Sequence, residues 1–252
     1  MPEGLALALS EPGLIWVCAA SLVAGLVYGF AGFGSALVFM PLATIFIAPA
    51  LAVAAFALSA LASLVTVVPG AWRAADRRGT LLMIAACLVA TPLGVAALRL
   101  APEDAIRTAV CLLTLATLAA LVSGWRLPLR GGLPLRLGVG ALAGITGGAT
   151  GLNGPPVILF NLASPGQPVA TTRGNLAVFL TLTSLSFVPQ LWLQGLAPPR
   201  ALWLGAILLG PYALGTWTGA RLFNPARTGL YRWGAYGLIG AAGLAGLPVF
   251  HG

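Results

Sequence analysis

From residue 13 to residue 70 the chain carries no charged side chain. A single helix needs about 20 apolar residues to cross a bilayer, so this run holds more than one span. In water the run would have nowhere to lie, because a folded protein of this size still exposes a large share of its surface. Composition removes the soluble alternatives: 7% of the 252 residues are charged and 59% are hydrophobic, against about 25% charged in an ordinary soluble domain. Disordered, coiled-coil, collagenous and disulfide-scaffold classes fall for the same reason. The chain reads as an all-α polytopic membrane protein.

Charge marks the remaining spans. Apolar runs at 79–98, 106–124, 137–172, 174–197, 201–220 and 233–250 lie between short arginine-bearing breaks. The net charge of +8 comes from arginine, with no lysine. In a soluble protein it would suggest nucleic acid; here it is a topological signal, and no nucleic-acid partner is expected. Cys18, Cys87 and Cys111 sit singly in apolar runs and read as inert packing residues, with no metal or cofactor called for. Glu3 and Glu11 stand where a signal peptide would carry basic residues.

The two halves resemble each other. At an offset of 119 residues Ala24-Gly25, Gly29, Gly32 and Val38 fall on Ala143-Gly144, Gly148, Gly151 and Val157, while Pro49 and Pro92 fall on Pro168 and Pro211. The expected organisation is a first transmembrane repeat over 1–124, a basic linker over 125–136 and a second repeat over 137–252. Each half opens on a long apolar run broken by glycines, Gly29 to Ser35 in the first and Gly147 to Pro156 in the second. Each such run forms two short spans or a hairpin turning back near the midplane, and either way the chain returns to its starting side. Three further spans follow in each half, so the crossings per repeat are odd and tandem repeats must be inverted. The arginines fit that topology. With the N- and C-termini outside, Arg73, Arg77, Arg78, Arg126, Arg130, Arg136, Arg173, Arg221, Arg227 and Arg232 are cytoplasmic, leaving Arg99, Arg107 and Arg200 outside.

Inverted repeats with helices broken at equivalent positions describe secondary transporters. A broken helix leaves backbone N–H groups that a ligand can satisfy, and helix N-termini favour an anion. Glycine lets the backbone approach the ligand, and Pro155-Pro156 suits the first turn of a new helix. One Gly-x-x-Gly alone would mark tight helix packing; two matching breaks, one carrying Ser35 and the other Asn153, point to a site. Ser59, Ser63, Thr66, Thr181, Thr183, Ser184, Ser186 and Gln190 lie at comparable depth; most are expected to bond carbonyls of their own helices, a few to line a cavity. Tyr28 is a candidate hydroxyl donor, or a packed tyrosine.

The first break, Gly29-Phe-Ala-Gly-Phe-Gly-Ser35 running on to Pro41, and the second, Gly148-Ala-Thr-Gly-Leu-Asn-Gly-Pro-Pro156 followed by Thr171-Thr172-Arg173-Gly174-Asn175, resemble the glycine-rich segments of the TauE/SafE family of anion permeases. The resemblance spans nearly the whole chain. It implies movement of sulfite, sulfoacetate or related sulfur oxyanions and organosulfonates across the inner membrane, as an exporter or facilitator. Where family members carry a run of glycines after the first Phe-Gly, this chain has Gly34-Ser35-Ala36, which leaves the substrate open. The expected substrate-binding residues are Gly32, Phe33, Gly34, Ser35, Gly151, Leu152, Asn153, Gly154, Pro155, Arg173 and Asn175. Arg173 has two readings, a snorkelling edge anchor or a cation that pairs with an oxyanion. The expected partners are a small anion and the bilayer, and a homodimer is compatible with the sequence.

No Asp or Glu falls inside an expected span, so the usual intramembrane carboxylate of a proton- or sodium-coupled carrier is missing. Rival classes fit less well. A channel or permease for cations or metals would want carboxylates or clustered Cys, His and Met, and Met1, Met40 and Met83 do not cluster. An intramembrane serine protease using Ser35 would need a base, and the single histidine is His251. No enzyme activity is expected.

Overall fold

A computed structural model describes residues 3–124, 132–163, 167–222 and 228–247, with side chains undescribed at 162–163 and 228–232. The described residues are helical throughout, without strands: α1 (Glu3–Leu9), α2 (Leu14–Ala31), α3 (Ser35–Phe46), α4 (Pro49–Ser59), α5 (Ser63–Thr66), α6 (Val68–Ala74), α7 (Arg77–Leu100), α8 (Glu103–Val122), α9 (Leu133–Thr150), α10 (Gly154–Ala163), α11 (Val169–Leu193), α12 (Pro199–Leu222) and α13 (Thr228–Ala245). Six segments are long and apolar enough to cross a membrane, among them α2, α7, α8, α11 and α12; the sixth is the broken stretch Pro49–Thr66. The bundle is apolar outside as well as inside. Val89 and Leu93, midway along α7, are 81% and 66% exposed, as suits a surface that faces lipid.

The breaks make hairpins. Gly32 and Gly151 end α2 and α9 with φ of 79° and 74°, each donating its N–H to the carbonyl four residues back. A left-handed residue at that position stops a helix and turns the chain, and glycine pays no Cβ penalty for it. Three residues form each tip, Gly32-Phe33-Gly34 and Gly151-Leu152-Asn153, and these match position for position at the 119-residue offset. The return arms come back to where the chain entered. Phe46, closing α3, lies against Gly13 and stacks on Trp16 at the start of α2. Phe160, late in α10, sits under the Arg136 guanidinium near the start of α9.

Two parallel helix pairs frame these hairpins. Gly25 and Gly29 on α2 face Gly215, Thr216 and Gly219 on α12, and the Ser21 hydroxyl bonds the Leu208 carbonyl. Gly140, Gly144 and Gly148 on α9 face Met83, Cys87 and Thr91 on α7 in the same manner. Contacts advance in the same direction along both members, so each pair is parallel. A Cβ at Gly29 or Gly148 would strike a partner carbonyl, so these glycines allow backbones to touch, as small residues do between membrane helices. They flank the breaks without forming them.

The helix ends separate into two faces. Arg200 reaches Glu11 at 3.8 Å, joining the starts of α12 and α2, whereas Arg136 meets Asp76 at 2.7 Å, joining the starts of α9 and α7. The far end of α2 lies against Arg173, two residues from Asn175, which bonds the Asp76 backbone. The α2–α3 hairpin therefore enters from the Glu11 face and the α9–α10 hairpin from the Asp76 face. Among the described residues the Asp76 face collects Arg73, Arg77, Arg78, Arg136, Arg173 and Arg221. The other holds Arg99, Arg107 and Arg200 with Glu3, Glu11, Glu103 and Asp104. Trp16, Trp192 and Trp203 ring the acidic face and Trp72, Trp217 and Trp233 the arginine face, the placement of interfacial belts. Arg126, Arg130, Arg227 and His251 lie outside the described residues, as do most of the expected linker and the side chain of Arg232. Helix α9 begins at Leu133, so the C-terminal end of that linker is already helical.

Candidate functional site

The hairpin tips meet at one cavity. It is small, bounded by Gly34 of the first tip, by Ser35, Ala36 and Leu37 from the first turn of α3, and by Asn153, Gly154 and Pro155 from the second tip and the first turn of α10. Tyr28 closes it from α2, Phe56 from α4, Ala60 from the 3-10 turn that follows, Ser63 from α5, Leu180, Thr181 and Ser184 from α11, and Tyr212 from α12. Thr181 lies twelve residues into α11 and Tyr212 thirteen into α12. At 1.5 Å per residue both sit about 20 Å from the nearest helix start, well inside the bundle.

The polar lining consists of hydroxyls and one amide. The Tyr28 hydroxyl donates to the Ala177 carbonyl at 3.3 Å and lies 3.2 Å from Thr181 Oγ1. The Asn153 Nδ2 group donates to Thr183 Oγ1 at 2.7 Å, which fixes the second tip to α11. Ser184 bonds the Leu180 carbonyl of its own helix. Ser63 is different. It is 1% exposed and its Oγ finds no partner at bonding distance, although the Tyr28 and Tyr212 hydroxyls flank it. A 3-10 turn at Ala60–Ala62 breaks the helix beside it and turns Ser63 toward the tips. Irregular backbone at membrane depth is tolerated where it is buried in protein or lines a cavity.

Of the residues expected from sequence, Gly34, Ser35, Asn153, Gly154 and Pro155 line this cavity together. Gly32 and Gly151 sit behind the tips as the helix-ending residues, Phe33 is half-buried against the core, and Leu152 is fully buried. Arg173 does not line the cavity; its side chain lies along Gly32 on the arginine-face side of the first tip. Asn175 is a brace. Its Oδ1 accepts the Asp76 N–H at 2.7 Å and its Nδ2 donates to Asn161 Oδ1 at 2.9 Å. Asp76 itself caps α7 through the Gly79 N–H and pairs with Arg136. Partial burial alone would raise its carboxyl, but the Gly79 N–H and the Arg136 guanidinium hold it below the usual carboxylate range.

Sequence reasoning did not single out Tyr212, Asn161 or Asp76 as site or bracing residues. Tyr212 follows Pro211, one of the repeat-matched prolines, and Asn161 is the lone amide in an otherwise apolar return arm. Ser59, Thr66, Thr183 and Ser186 bond carbonyls of their own or the adjoining helical turn, as the sequence suggested.

The broken helices converge on this small cavity between candidate membrane spans. Residues 17–246 match the family model described as Sulfite exporter TauE/SafE, and the chain belongs to that family. Comparison with curated proteins gives no match, and comparison with solved structures gives none either.

Proposed function

We propose that the protein is an inner-membrane permease for small sulfur oxyanions or organosulfonates, bound between the two hairpin tips. The observation that carries this reading is the cavity itself, where the first turns of α3 and α10 meet a ring of hydroxyls. Helix N-termini carry partial positive charge and unsatisfied N–H groups, and hydroxyls donate further hydrogen bonds to an oxyanion. The family membership supports sulfur oxyanions over other anions. We read the two halves as inverted repeats, a reading supported by hairpins that enter from opposite faces and by the equivalent tips. Rocking of one repeat against the other would expose the cavity alternately. The arginine face is read as cytoplasmic, with both termini outside.

No Asp or Glu lines the cavity among the described residues. An anion leaving a negative interior gains about 2.3 kcal/mol per charge per 100 mV, so export or facilitated efflux needs no coupling ion. The test is anion flux in proteoliposomes loaded with sulfite, sulfoacetate, sulfate or chloride under an imposed potential. Saturable, potential-dependent sulfite or sulfonate efflux above protein-free vesicles is expected, and its absence for every anion overturns the reading.

A further inference from the structure

The cavity holds a definite amount of positive potential. Two helix N-termini line it, those of the 12-residue α3 and the 10-residue α10. Each is equivalent to at most about half an elementary charge, and α10 to less because Pro155 and Pro156 lack N–H groups, so together they supply at most about one. The polar side chains that complete the lining are neutral: Tyr28, Ser35, Ser63, Asn153, Thr181 and Tyr212 among them. No arginine lines the cavity among the described residues, and Arg173 lies against Gly32 outside the lining. The pairing of donors is also incomplete, since the buried Ser63 Oγ has no partner at bonding distance. One buried negative charge can be matched in such a place. A second would stay uncompensated where water is scarce, and uncompensated buried charge is strongly disfavoured.

We infer that the cavity selects anions by charge, accepting singly charged oxyanions such as hydrogensulfite or a simple alkanesulfonate and discriminating against doubly charged ones such as sulfate, with Ser63 as a donor to the bound oxyanion. The inference rests on the proposed reading of the cavity as the substrate site. It makes the protonation state of sulfite, which changes near neutral pH, part of recognition. It also orders the organosulfonates: methanesulfonate, with one charge, passes better than sulfoacetate, with two.

Proteoliposome flux at clamped potential separates the outcomes. Methanesulfonate flux is expected to exceed sulfate flux by at least about tenfold. Sulfite flux is expected to fall as pH rises and the monoanion disappears, after correction by methanesulfonate, whose charge does not change. Ser63→Ala is expected to lower methanesulfonate flux about fivefold, the worth of one neutral hydrogen bond, with unchanged yield and melting temperature. Ser184→Lys, which adds a cation to the lining, is expected to narrow the methanesulfonate-to-sulfate ratio. Equal sulfate and methanesulfonate flux, or corrected sulfite flux rising with pH, overturns the charge selection while leaving the permease reading intact. Unchanged flux in Ser63→Ala removes Ser63 from recognition. Absence of flux for all three anions fails the permease reading itself.

Discussion

The two hairpins are alike in geometry and unlike in chemistry. Both turn on three residues after a left-handed glycine, and both present a helix N-terminus to the cavity. The first tip has a second left-handed glycine, Gly34 with φ of 92°, and contributes Ser35 beside a full set of backbone N–H groups. The second replaces that glycine with Asn153, tied to Thr183, and follows it with two prolines that lack N–H groups. Their neighbours differ too: the first tip touches Arg173 and the second touches Met40. The long helices following the hairpins continue the contrast, since α11 runs unbroken while its first-half counterpart is split into α4, the 3-10 turn, α5 and α6. The two hairpins thus share a frame, while the cavity surfaces they present differ. The first half supplies donors, and the second supplies a braced wall.

The helix contacts just behind the two tips should be equally intolerant. Gly29→Val and Gly148→Val each drive a side chain into a backbone carbonyl of the partner helix, of Thr216 and of Thr91 respectively. Each is expected to cost about 3 kcal/mol or more, read as loss of monodisperse protein on size-exclusion chromatography. If one is tolerated, the frame is not shared.

At the tips the halves should part. Asn153→Ala removes a buried hydrogen bond to Thr183 and is expected to cost about 1–3 kcal/mol, lowering both the melting temperature and anion flux. Ser35→Ala is expected to spare the melting temperature and reduce flux alone. A reversed pattern would exchange the roles assigned to the two tips. Gly34→Ala places a side chain at φ of 92° with only ordinary contacts to Ile239 and Val27. Its expected cost is about 1–2 kcal/mol of backbone strain, visible as a lower melting temperature.

The smallest effects belong to the ion pairs at the two roots. The Asp76 carboxyl is held below its usual range, so its contribution is present above the unfolded-state value near pH 4 and is lost as pH falls through the lower folded one. A melting-temperature profile is expected to fall below about pH 4 in the wild type and less steeply in Asp76→Asn. The Glu11–Arg200 pair, at 3.8 Å, should matter least: Glu11→Gln is expected to change stability by less than about 0.5 kcal/mol.

Much of this frame could be read from residue order, because membrane insertion leaves strong one-dimensional marks. Charge-free runs, arginine-bearing breaks and the 119-residue offset mark the spans, the break positions and their equivalence. Gly34, Ser35, Asn153, Gly154 and Pro155 reach the cavity because a helix break at depth has few alternatives. What sequence could not separate was the double use of glycine. Gly29 and Gly148 serve helix contact, while Gly32 and Gly151 turn the chain, and only φ and the facing helix tell them apart. Tyr212 is a product of three-dimensional crossing, since nothing local says that the middle of α12 faces the first tip. Asn175 looks like a ligand in sequence, and its bonds to the Asp76 backbone and to Asn161 could not be read there, because those partners lie far away in the chain or on another helix.

The parallel pairing of α2 with α12 has a consequence for biosynthesis. Ser21 and the carbonyl it bonds are 187 residues apart. At a synthesis rate of about 5–20 residues per second, α2 waits some 10–40 seconds for its partner to leave the ribosome. Through that interval its glycine face has no protein against it, and lipid or a chaperone of the insertion machinery must shelter it. The α7–α9 contact, formed by helices close in the chain, is complete long before. The second hairpin can therefore settle early, and the first is the last part of the protein to be finished.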